Sequence, residues 1–143
     1  MTVRTSRVEF YDRLVERFGK SSIHKDVDTI PLGFDFRDHI DKLVSECDVL
    51  LAVIGHAWLD VEAEGKPRLE DPRDLVRIEI ESALARDIPV IPVLVGGTVM
   101  PGEADLPDAL KPLAFRNGIQ VREDPDFHKD VDRLIAGIEG HFQ

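Results

Sequence analysis

Two apolar spacings alternate along the chain. Val8, Tyr11, Leu14, Val15 and Phe18 recur every third or fourth residue, the period of one helical face, and Gly19 is placed to end that helix. Ile23 to Ile30 predicts a short strand running into a loop, broken by Pro31 and Gly33. Phe36, Ile40, Leu43 and Val44 mark a second helical stripe that ends near Cys47. Asp48 then introduces Val49 to Ile54, a run without a polar residue closed by Gly55, as in a strand covered on both faces. A polar loop from Asp60 to Pro72 leads into a helix from Asp74 to Asp87, with Val76, Ile80, Ala83 and Leu84 on its buried stripe. Ile88 to Val95 is a second buried strand, ended by Gly96 and Gly97, so the unit is a βαβ crossover. Leu106 to Phe115 predicts a short helix, Ile119 to Val121 a short strand, and Val131, Leu134, Ile135 and Ile138 a final helical stripe.

The pattern is that of an α/β domain, an open and mostly parallel sheet with helices on both faces. Such sheets usually begin with a central strand. Met1 to Ser6 offers only Val3 beside Arg4, so the N-terminal strand is expected to be missing. Either the sheet lacks it, or the chain is a fragment whose missing strand would lie between the second and third.

Length and charge narrow the function classes. Residues 1–143 contain no linker-like stretch and no repeat, which predicts a single domain. A formal net charge of -10 argues against a nucleic-acid partner, since phosphate binding draws on clustered Lys and Arg. The apolar runs are too short for a membrane helix, and Met1 to Phe10 lacks the apolar centre of a signal peptide. Cys47 is the one cysteine, so neither an intrachain disulfide nor a Cys-based zinc cluster can form. A cytoplasmic protein with no membrane contact and no bound metal or cofactor is expected.

The common catalytic signatures are absent: no GxxxxGKS, GxGxxG or GxSxG, and no histidine pair at zinc-helix spacing. What remains lies on loops at the strand ends and on one helix. The segment Asp26 to Phe36 reads as a turn with a helix cap at Asp35, or as a contact surface built from exposed aliphatics and aromatics. Trp58, after the first buried strand, either caps the core or offers a flat face to a planar ligand. On the helix from Asp74, Glu81 follows Arg77 by four residues and predicts an ion pair. Glu79 falls on the margin of the buried stripe, beside Leu75 and Ala83, as a solvated boundary residue or a partly desolvated carboxylate.

Three segments together resemble bacterial TIR domains: Asp26 to Phe36; Cys47 to Gly55 with Trp58-Leu59; and Val76 to Leu84 before Ile88 to Val95. The likeness covers essentially the whole chain, in the order and spacing of the segments. It implies a flavodoxin-like sheet, a self-associating signalling module, and cleavage of NAD+ at the nicotinamide-ribose bond, often in anti-phage defence or virulence. NAD+ would be the substrate, and other TIR domains the protein partners. The resemblance places Glu79 on the family's catalytic glutamate, and Ile30, Pro31, Leu32, Gly33 and Phe34 on the loop that closes over NAD+ and mediates assembly. Leu75 falls where active members often carry a Trp, and Trp58 could compensate in part. Similar domains open with a strand and a Ser-Tyr-Arg-type segment, which has no equivalent here before Thr5. A non-catalytic TIR scaffold is the second expectation, and a nucleoside deoxyribosyltransferase-like enzyme the third. A phosphoacceptor receiver domain fits poorly, because its acidic pair would follow a first strand.

Overall fold

The computed structural model describes residues 1–5, 8–24, 31–59 and 67–142. Its strands are β1 (Val3–Arg4), β2 (Ile23–His24), β3 (Val49–Ile54), β4 (Val90–Val95) and β5 (Ile119–Val121). Its α-helices are α1 (Val8–Phe18), α2 (Phe36–Ser45), α3 (His56–Leu59), α4 (Leu75–Ala85) and α5 (Phe127–Glu139). All strand pairs are parallel, in the order β2-β1-β3-β4-β5. This is the flavodoxin-like arrangement, whose strand order reverses between β1 and β3.

The expectation of a missing first strand is corrected. Val3 pairs with Ile23 on one side and Val49 on the other, and Arg4 with His24 and Leu50, so β1 occupies the central position. Two features hide it from a hydrophobic pattern. It is two residues long, and one of them is a buried arginine, only 6% exposed. The pleat turns Val3 and Arg4 to opposite faces, and Arg4 meets the carboxylate of Glu79, so a charge is tolerated on a buried strand.

The continuous apolar run of β3 follows from burial on both faces. Val49 and Leu51 pack into the layer formed by α1 and α5, while Leu50, Ala52 and Ile54 pack into the layer formed by α2 and α4. Two boundaries differ from the pattern. β4 begins at Val90 rather than Ile88, because Asp87 adopts φ 56° and the Ile88 N–H donates to the Ala83 carbonyl at 3.0 Å, closing the helix end. Between Leu106 and Phe115 the chain forms a 3-10 helix over Asp108–Phe115, with Pro112 inside it lacking an N–H to donate.

Two tertiary devices hold β5. A Cβ on Gly118 would lie 2.7 Å from the Pro92 carbonyl oxygen and 2.9 Å from the Pro92 Cβ, and the first of these is backbone that cannot turn aside. Gly118→Ala is therefore expected to cost about 1–3 kcal/mol of stability, read as a lower urea midpoint. Asp130 on α5 is fully buried and accepts from the Arg122 backbone N–H, Nε and Nη2, each at 2.9 Å. The Arg122 side chain, foremost, holds the Asp130 carboxyl well below the ordinary carboxylate range. A depressed carboxyl contributes stability above its unfolded pKa, near 3.9, and loses it as pH falls toward the lower folded value. Acidification from neutral pH to about pH 3 should thus destabilise the wild type more than Asp130→Asn, measured by urea denaturation at each pH.

Candidate functional site

The strand order reverses beside β1, and α4 is the helix that brings a carboxylate to that place. Asp74 starts the helix. Its carboxylate accepts from the Arg77 backbone N–H at 3.0 Å, the bond expected of an N-cap. It also accepts from the Trp58 indole N–H at 2.9 Å and from Arg68 Nε at 3.1 Å, so one buried carboxylate ties α4 to the segment after β3. The predicted Arg77–Glu81 pair forms along the helix, with Nε and Oε1 2.6 Å apart.

Glu79 is not a solvated boundary residue. It is 4% exposed, and Ile78 and Ser82, outside the four-residue stripe, are buried with it. The reason is the neighbours of α4, which packs against α2 and the 3-10 helix as well as the sheet, widening its buried sector beyond one stripe. Glu79 Oε2 lies 3.5 Å from Arg4 Nε, with side-chain exposures of 6% and 7%. Ionised groups this far from water require each other, because desolvation of either alone is costly. Thr5, just past Arg4, extends the local ladder by donating its N–H to the His24 carbonyl at 3.0 Å.

Trp58 packs into the core. It is 4% exposed and its one polar atom is occupied by Asp74, so the core-capping alternative describes it and no open ring face is presented. Leu75, the first residue of α4, is 36% exposed, one helical turn before Glu79. Ile30 lies outside the described residues, as do Asp26 to Thr29. Pro31 to Phe34 forms a β-turn in which the Phe34 N–H donates to the Pro31 carbonyl at 3.3 Å. Gly33 takes φ 84° at its third position, which a side chain would strain. Leu32 is 100% exposed and Phe34 70%. Asp35 follows as the N-cap of α2, accepting from the backbone N–H of Arg37 at 2.8 Å, and that bond holds its carboxyl below the ordinary range. The cap and the exposed apolar surface are thus both present in one segment. The turn enters α2 beside the approach to α4, where the Arg73 guanidinium sits 5.8 Å from the Phe36 ring centre.

Arg4 and Asp74 were not singled out by the sequence pattern. Asp74 carried a usable signal, an acidic residue directly before a helical stripe; Arg4 carried only its place beside Val3. Burial pushes the Cys47 thiol up to about 11, outweighing the nearby Arg4 charge and disfavouring the thiolate. Among the described residues no group of His, Cys, Asp and Glu side chains is arranged to hold a metal ion, and no helix is long and apolar enough to cross a membrane. No family model matches the sequence, and no curated protein matches it. What the site can do follows from its chemistry. A carboxylate beside the central strand, buried against the packed helices and faced by the Arg4 guanidinium, can stabilise a developing positive charge on a bound ligand.

Proposed function

We propose that this chain is a cytoplasmic TIR domain that hydrolyses NAD+ at the nicotinamide-ribose bond as a signalling or defence module. The buried Glu79 carboxylate next to β1 carries the reading. Support comes also from the flavodoxin-like strand order and from the exposed turn ahead of α2, in the arrangement that the resemblance implies. In the reaction the C1′–N bond breaks with both electrons leaving on nicotinamide, which departs neutral. The ribosyl cation is stabilised by Glu79, water adds to C1′, and its proton is released, giving ADP-ribose.

Substrate access sets a condition. With Glu79 4% exposed, ribose can reach it only after groups packed around the carboxylate, Arg4 among them, move aside. A guanidinium so released suits the substrate's pyrophosphate, which accepts paired N–H donors. Leu75 would meet the ligand with an aliphatic side chain where active relatives offer a Trp. The test is nicotinamide release from NAD+ by folded protein, with its loss in Glu79→Gln.

One observation favours a scaffold as the second reading. Leu32 and Phe34 are large apolar side chains left in water, while the carboxylate is closed off. TIR-TIR association through this turn predicts that Leu32→Ser with Phe34→Ser weakens self-association at least tenfold, on the order of 1.4 kcal/mol. Sedimentation over a concentration series reads it; an unchanged profile would remove the turn from the interface.

A further inference from the structure

We propose that the cavity at the opposite edge of the sheet, where β4 and β5 begin, binds a small organic anion: a phosphate or carboxylate carried on an apolar or planar body. The cavity has a volume of about 450 Å³ and is closed on one side by the C-terminal half of α5. That volume lies within the range of small-molecule pockets, roughly 300–1,000 Å³.

Its charge is the reverse of the whole chain's. The protein carries 28 acidic against 18 Lys and Arg residues, yet among the described residues Arg116, Arg133 and His141 line this cavity and no acidic residue does. The Arg116 guanidinium and the His141 ring have no hydrogen bond or ion pair among the described residues. Among the described residues Arg133 reaches only Asp130 Oδ1, at 3.9 Å, and that carboxylate is already engaged by three donors of Arg122. Two guanidinium groups short of carboxylates, with an imidazole beside them, supply the planar donors that a phosphate or carboxylate accepts. Half-buried Ile91 and Ile119, with buried Leu134, give an apolar wall for the rest of the ligand. A bare inorganic ion would leave that wall empty.

The two cavity glycines separate fold from opening. Gly118 is demanded by the approach of Pro92, as described above. Gly137 is not: it lies inside α5, where glycine is disfavoured, and a Cβ built on it would meet nothing within 4 Å. Packing does not require this glycine, and its lack of a side chain keeps the wall open.

The probes are AMP, adenosine and inorganic phosphate, titrated into isotope-labelled protein and followed at the backbone amides of Gly118, Ile119 and Gly137. AMP should shift these signals saturably, with adenosine and phosphate each at least tenfold weaker, since each lacks half of the recognised ligand. Arg116→Ala should weaken AMP at least tenfold. Gly137→Leu should abolish the shifts while the remaining amide spectrum shows the fold intact, because leucine favours the helix. No saturable shift at these residues, shifts confined to the α4 side of the sheet, equal binding of adenosine, or binding unchanged by Arg116→Ala would each overturn the proposal. The readout is binding at the edge opposite Glu79, so it is independent of NAD+ hydrolysis.

Discussion

Arg4→Met is expected to lower folding stability by about 3 kcal/mol, because it removes the guanidinium that the buried Glu79 carboxylate faces. Breaking a buried ion pair costs roughly 3–5 kcal/mol, and the lower end applies here. Arg4 Nε lies 3.5 Å from Glu79 Oε2 and makes no hydrogen bond, so the pair is looser than a bidentate one. Against a typical total of about 5–15 kcal/mol the loss is large. The rescue is more diagnostic than the loss: Arg4→Met with Glu79→Leu should recover most of it, since apolar residues of similar volume replace buried pairs at little cost. Urea denaturation followed by circular dichroism reads both variants. A cost for the single variant below about 1 kcal/mol, the size of a surface pair, would mean that Arg4 and Glu79 are solvated in solution.

Glu79→Gln has the largest expected effect on the proposed activity. Glutamine keeps the shape and loses the charge, so ground-state contacts persist while electrostatic stabilisation of the ribosyl cation is lost. Removal of one such group costs roughly 100- to 1,000-fold in turnover, and that is the expected fall in kcat for NAD+ cleavage. The change also leaves Arg4 without its carboxylate, so stability is measured beside activity and the assay runs well below the variant's melting temperature. A scaffold predicts a different pair of results: no release from either protein, and self-association that Glu79→Gln leaves as it was.

Local features were legible in the residues. The α2 cap at Asp35, the Arg77–Glu81 pair and the glycine-dependent turn at Pro31 to Phe34 each depend on positions a few residues apart. The run Val49 to Ile54 was legible as well, because burial on both faces writes itself into composition. Features that join distant segments were not. The central strand hid behind Arg4, whose charge argues against burial until Glu79, 75 positions along the chain, is seen against it. The helical pattern puts Glu79 at a margin because a stripe assumes one packed face, whereas α4 meets α2, the sheet and the 3-10 helix. The sequence around Trp58 leaves two alternatives, and the hydrogen bond of its indole N–H to Asp74 decides between them. Asp130 gave no sign of its role, because its partner is the turn after β5 rather than a helical neighbour.

The most direct test of the proposed role of Glu79 is nicotinamide release from NAD+, measured for purified wild-type protein at high concentration with Glu79→Gln beside it. Circular dichroism shows first that both are folded. Release by the wild type with equal formation of ADP-ribose, and none above background from the variant, is the expected result. No release from folded wild-type protein, or equal release from both, would contradict it.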